Sequence, residues 1–478
     1  MVVHPEWVMK HKTKGTEIRK INEKYYLYKV SSEWNKEKKR AHKVTGEYLG
    51  TIKEDGLVPP KHKQMGNIVS SLSVKEYGAC HFFNMISKEI QVKLKEMFPK
   101  CYMMIYVISF LRTINKCPFK RIEHYYLNSY VSEIFQDLKL SGKNISSFLR
   151  ELGQQREQMV VFMNHFTSGT QHILFDATNI FSQSEKMDIN CLGYNRHKNY
   201  DPQINLLYAF SCDRHSPVYY RILPGSIRDI TAFSLSIMEA GLTDATVVAD
   251  KGFGSQANID LLDEQELKYI IPLKRNNGLL DDEIIRTGDR SKYEGYFLFQ
   301  KRPIWYYSIK AEGSKKVMIY MDEKLRAEEE KDYLQRMEKQ LEGYSIENFY
   351  EKQYRLGTFA VMENTGKSCK DVYEIYKSRD QIEKAFDVLK STLEADSSYM
   401  QDEKALEAWA FMNHISLMMM YRIYSLLKET KLLSKHSAVD LIEHLKYIHK
   451  VKINQQWMTS EINKKTKDLL GSLEINIT

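Results

Sequence analysis

At 478 residues the chain exceeds what a single hydrophobic core serves, so about two to four domains are expected. Its 43% hydrophobic and 12% aromatic content is spread along the whole length and excludes long disordered tracts. The six cysteines show no CxxC pair and no zinc-spaced histidine, which excludes a disulfide framework and a zinc site, while the net charge of +8 becomes informative once it is located.

Nearly all of that charge lies at the start. Residues 1–63 carry 15 Lys and Arg against 8 Asp and Glu, either an electrostatic footprint for DNA or RNA or a merely solvated face. Here KYYLYKVSSEWNKEKKRAHKVTGEYLGTI reads as two strands around a charged turn. Such a hairpin sets Lys38, Lys39 and Arg40 where they can meet a phosphate backbone. Residues 1–66 are therefore expected to form a basic β-rich DNA-binding region, with LVPPKHK as a stiff linker. MVVHPEWVMKHK carries no apolar signal core.

Residues 67–167 show helical periodicity, as in YMMIYVISFLRTIN and ISSFLRELGQQREQMVVFMNHF, and predict a helical domain. From 168 to 275 the pattern changes to the strands HILFDATNIF, QINLLYAFSC and PVYYRILPG, then the helix DITAFSLSIMEAGL, with Asp229 as its expected N-cap, the strand ATVVAD, the helix SQANIDLLDEQEL and the strand YIIPLK. Three antiparallel strands followed by alternating helices and strands predict an α/β fold with a mixed sheet, in the order of ribonuclease H-like folds. Residues 276–352 predict an inserted β-rich subdomain with a charged helix, too long for a connection. The core resumes over 353–396 with the strand GTFAVMEN, and a C-terminal helical segment fills 397–478. Within it AWAFMNHISLMMMYRIYSLL is interrupted by Asn413, His414 and Arg422, while CYMMIYVISFL, in the earlier helical domain, has only eleven residues. Neither would span a bilayer, so a cytosolic protein with no membrane partner is expected.

The stretch YKSRDQIEKAFDVLK, residues 376–390, carries the most specific pattern. At about 100° per residue, with Tyr376 at zero, Arg379 falls near 300°, Glu383 near 340° and Lys390 near 320°. Ile375, Ile382, Phe386 and Leu389 lie on another face, and Lys377, Asp380, Lys384 and Asp387 on a third. An aromatic, two cations and an acid thus form a polar stripe between core and solvent. Ordinary pairing of Arg379 with Glu383 is the bland alternative, worth about a few tenths of a kcal/mol.

Two further acids bear on the choice. Asp176 follows ILF and Asp250 follows TVVA, so each carboxylate is expected where a buried strand emerges, the edge at which α/β sheets place ligands. If Asp176, Asp250 and Glu383 converge, three hard oxygen donors meet with no sulfur or imidazole among them. That set suits Mg²⁺ or Mn²⁺, and two such ions about 4 Å apart promote in-line displacement at phosphorus.

FDATNIF, PGSIRDITAF, VVADKGFGS and the full Y-x2-R-x3-E-x6-K pattern of 376–390 resemble bacterial insertion-sequence DDE transposases of the Y-R-E-K group, over about residues 170–395. The resemblance implies that Asp176, Asp250 and Glu383 bind the catalytic Mg²⁺ or Mn²⁺ ions, two in number. It implies that Tyr376, Arg379 and Lys390 contact DNA phosphates, as a guanidinium fork and an ammonium point charge can. It also implies a homodimer acting on terminal inverted repeats and target DNA in the bacterial nucleoid, with the apolar helix around ISLMMMYRIY as a candidate contact or as core. Some members hold a flipped base on an aromatic residue of the insertion. Trp305 is the candidate here, with packing inside the subdomain as the alternative.

The function this implies is cut-and-paste transposition: metal-dependent cleavage of element ends and their joining to target DNA. The alternatives are a non-catalytic DNA-binding protein derived from a transposase and an RNase H-like nuclease without strand joining. ENTGKSC is discounted as a phosphate loop because Val361 stands where glycine is required. Lys251 and Asn179, beside the acids, are either phosphate or water contacts or turn residues.

Overall fold

The computed structural model describes residues 4–35, 39–61, 71–195, 199–226, 230–275, 277–280 and 283–477. Lys38, Arg228 and Asp229 lie outside them. The chain divides into two compact units, one of Met1–Lys75 with His449–Glu461, the other of Glu76–Ile448 with Ile462–Thr478.

In the first unit β1 (Thr16–Ile21), β2 (Lys24–Asn35), β3 (Arg40–Lys53) and β4 (Gly56–Val58) form an antiparallel sheet in chain order. Its small core is Val8, Ile18, Leu27 and Ile52. The β2–β3 hairpin runs to the pair Asn35 and Arg40, with Trp34, Lys39 and Arg40 all exposed near its end. A second sheet joins β5 (Leu72–Glu76) to His449–Ile453, which pairs with Gln456–Thr459. The C-terminal segment is therefore not wholly helical. Asn454 and Gln455, both at positive φ, turn a two-residue hairpin there, a geometry asparagine tolerates well.

The second unit is built on a mixed sheet. Its strands are β6 (His172–Ser182), β7 (Cys191–Tyr194), β8 (Tyr200–Ser211), β9 (Ser216–Pro224), β10 (Thr246–Ala249), β11 (Lys268–Leu273), β12 (Gly295–Phe299), β13 (Arg302–Lys310), β14 (Lys316–Asp322), β15 (Thr358–Glu363) and β16 (Ser397–Ser398). The path runs β12-β13-β14-β15-β11-β10-β6-β8-β7, with β9 on β8 and β16 on β6. β6, β10 and β11 are parallel neighbours at its centre, and β10 is buried at every residue, as parallel strands covered on both faces must be. The strands expected to stand apart as an inserted subdomain instead continue this sheet. β14 is apolar and buried along almost its whole length and pairs with β15, so it needs both faces covered. The charged helix Glu323–Glu338 buries no residue.

The helix Glu403–Glu429 is apolar around most of its circumference and lies inside the helical core. Its Asn413 accepts from Arg112 Nε at 3.1 Å, and Phe411 packs on Phe98 and Phe162. Met418, Met419 and Met420 are buried in the chain's own core, so this stretch is not an open surface for a dimer contact. Among the described residues no helix is long and apolar enough to cross a membrane.

Candidate active site

Parallel pairing of β6 with β10 ends at Phe175 and Ala249. The next residue on each strand is an aspartate, so Asp176 and Asp250 leave the same rung of the ladder side by side. Asp176 does not end its strand as expected, because β6 runs on to Ser182 against β8, with Asp176 opposite Tyr208. Asp250 does end one, leading into the short turn Lys251–Phe253.

The motif stretch is not the single helix its periodicity predicts. One helix spans Cys369–Lys377, a second Asp380–Asp387, and a widened turn Val388–Thr392 follows. Ser378 sits at the first break, its hydroxyl donating to the Ile375 carbonyl at 2.5 Å, the back-bonding by which serine loosens a helix. Tyr376 therefore stands on the first helix, Arg379 at the junction, Glu383 on the second and Lys390 in the wide turn.

The break still brings the signature residues to the aspartates. The Arg379 guanidinium donates through Nη1 to Asp250 Oδ1 at 2.9 Å and to the Tyr376 hydroxyl at 3.4 Å. Nη2 reaches Asp176 Oδ2 at 3.4 Å and Glu383 Oε1 at 3.5 Å. All three acids thus face one cation. Burial pushes the Asp176 carboxyl up to about 6, against the pull of Arg379 and of the Ala177 amide on its Oδ1, while nearby Asp250 adds to the rise. Burial alone would lower the Arg379 guanidinium, but Asp250 and Asp176 hold it above its usual value. Its Nε is buried without a partner among the described residues.

Asp176, Asp250, Glu383 and the buried Lys390 line a cavity of about 1260 Å³, together with Lys251 and Asn179. Asn179 Nδ2 is buried there without a hydrogen-bond partner among the described residues. Residues not singled out from the sequence also line it: Lys274, Asp387, and Tyr194 and Tyr200, whose rings meet at 5.4 Å. A signal for the last two existed in GYNRHKNY, where two aromatics bracket a polar turn. Trp305 is not among the lining residues. It lies on β13 against Tyr296 and Tyr293, with Arg290 over its ring. ENTGKSC is a turn whose backbone amides at Thr365 and Gly366 donate to Glu363 Oε2, at 2.6 and 3.1 Å. Lys39 and Arg40 belong to the other unit.

In chemistry the acids fit a hard divalent ion: three carboxylates presented to a single positive centre, with no softer ligand. In spacing they are not yet a cage. Among the described residues no group of three or more His, Cys, Asp or Glu side chains stands ready to hold a metal ion. The guanidinium takes the place between them.

Residues 167–419 match the family described as Transposase DDE domain, a span covering more than half of the chain. The chain belongs to the DDE transposase family. No curated protein sequence matches it. Among solved structures it is similar to a piggyBac transposase synaptic complex with hairpin DNA, at 11% identity and a TM-score of 0.40, over 72% of this chain and 69% of that one. The DDE match begins just ahead of β6 and takes in Asp176, Asp250, Glu383 and the whole interrupted motif.

Proposed function

We propose that the chain is a DNA transposase of the Y-R-E-K group, bacterial in origin, that cleaves the ends of an insertion sequence and joins them to target DNA. The observation that carries this reading is the meeting of Asp176, Asp250 and Glu383 around one guanidinium within 3.5 Å, inside a DDE-family domain. Asp176, Asp250 and Glu383 would hold Mg²⁺ or Mn²⁺, two ions in the full reaction. When bound, such ions lower the pKa of an attacking water or 3′-hydroxyl and stabilise the leaving oxygen of an in-line displacement.

The chain's own groups supply the rest. Arg379 offers a bidentate fork to a phosphate and Lys390 a point charge at the cavity wall, fixing the scissile linkage beside the acids. Tyr376, accepting from Arg379 Nη1 through its hydroxyl oxygen, steadies Arg379. Burial of Asp176 and Lys390 strengthens the charge interactions on the deep side of the cavity. Lys39 and Arg40, exposed at the end of the basic hairpin, with Lys38 beside them in sequence, would grip DNA backbone away from the chemistry. Two chains, each bringing one element end, would complete the reaction, and no membrane is involved.

Incubation with end-sequence DNA and Mg²⁺ tests the reading. Strand cleavage followed by joined products is expected, and Asp176→Ala, Asp250→Ala and Glu383→Ala should each abolish both while DNA binding survives. Full activity in any of the three overturns the assignment, and cleavage without joined products favours a nuclease.

A further inference from the structure

Resting on the proposed function, we infer that Arg379 is a displaceable counter-ion which couples DNA binding to metal binding, so that the ion site forms only once a phosphate has drawn the guanidinium away. Four observations lead there. Arg379 occupies the centre of the three acids, and with it there no metal-holding group exists among the described residues. Its hold is uneven: the 2.9 Å contact to Asp250 is a good charge-assisted bond, whereas those to Asp176 and Glu383, at 3.4 and 3.5 Å, are well beyond the usual length of about 2.8 Å. Nε adds no bond to the acids, being buried without a partner among the described residues. Finally, Arg379 stands at the break between two helices, where the Ser378 hydroxyl bonds back to Ile375, a local irregularity at the very residue that would have to move.

Charge sets the direction of the exchange. One guanidinium cannot neutralise three ionised carboxylates, and a divalent ion in its place matches them better. A phosphate dianion edge or diester, in turn, offers the fork two oxygens in the geometry it prefers. Each ligand therefore favours the state with Arg379 off the acids, and whichever binds first bears the cost of moving it. Two ligands that prefer the same state of one side chain bind with positive coupling, and the coupling is reciprocal. A chain without DNA would then take up metal poorly and stay unready to hydrolyse stray substrates.

The test is Mn²⁺ binding to the full chain, read from the electron paramagnetic resonance of free Mn²⁺, with and without a short DNA duplex of arbitrary sequence, after subtraction of ions held by the duplex alone. The parent should bind Mn²⁺ about 5- to 150-fold more tightly with duplex than without. Arg379→Gln should bind it tightly without duplex and gain nothing further from adding it, while Arg379→Lys falls between. Equal Mn²⁺ affinity of the parent in both conditions overturns the inference, as does Arg379→Gln binding no better than the parent without duplex. If Arg379→Gln does not fold, the two parent measurements decide alone. If no protein takes up Mn²⁺ in either condition, the metal-dependent function itself falls and the inference with it.

Discussion

The two halves of the candidate site are built on different kinds of scaffold. Asp176 and Asp250 leave adjacent parallel strands at one rung of a hydrogen-bonded ladder, with every residue of β10 behind them buried. Arg379, Glu383 and Lys390 come from a helical segment broken once at Ser378 and widened again after Asp387. Glu383 has 61% of its side chain exposed, against 18% for Asp176. The sheet half hangs on a hydrogen-bonded ladder, and in the helical half Glu383 has room to adjust while Arg379 and Lys390 are packed. A site that must both release a guanidinium and accept a phosphate needs one half of each kind.

The largest expected effects test the rigid half. Asp176→Ala or Asp250→Ala should lower cleavage of end-sequence DNA by at least about a hundredfold, measured by gel with binding checked in parallel. Asp250→Glu should cost nearly as much, since a displacement of about 1 Å at a fixed ligand costs on the order of a hundredfold. Glu383→Asp, on the adjustable half, should cost only about tenfold. If the two conservative swaps prove equal, the contrast between the halves is broken.

The layer behind the rigid half carries the next effect. His414 is fully buried between the rings of Tyr208, the cross-strand partner of Asp176, and Tyr220, and neither ring nitrogen has a hydrogen-bond partner among the described residues. Burial, helped by Arg156, which also pairs with Glu407, lowers it from 6.5 to about 3. Its neutral form thus contributes stability that is present above about pH 6.5 and lost as pH falls toward 3, because the unfolded chain binds the proton first. Chemical denaturation across that range should show the unfolding free energy dropping on acidification by on the order of 5 kcal/mol from this residue. His414→Phe should flatten that part of the profile, and an unchanged slope would mean the layer is not set by the neutral imidazole.

Much of this arrangement can be read from residues alone, and the misses have physical causes. The strands β6, β8, β9, β10, β11 and β15 follow from apolar runs bounded by turn residues, and the basic hairpin from its charged turn. The Asp176 strand outran its apolar run because ATNIF continues the alternation of a half-exposed strand. The break at Ser378 is invisible to a fixed 100° step, since it depends on one hydroxyl choosing a backbone carbonyl. That Arg379 stands between the acids, rather than beside them, is a tertiary fact no spacing encodes. The strands of 276–352 were expected as an inserted subdomain because pairing of β14 with β15, beyond the charged helix, decides their place.

The smallest expected effect belongs to the basic hairpin. Lys39→Ala and Arg40→Ala should each weaken DNA binding alike across sequences and reduce its salt dependence by about one unit of slope, as loss of a single phosphate contact does. Cleavage of saturating DNA should be unchanged, in contrast to every change at the acids.

The most direct measurement is anomalous scattering from Mn²⁺ in crystals of the chain with DNA. A manganese peak bounded by Asp176, Asp250 and Glu383, with the Arg379 guanidinium moved onto a phosphate, is the expected result. Crystals with DNA in the cavity, no manganese at those carboxylates and Arg379 still between them would contradict it.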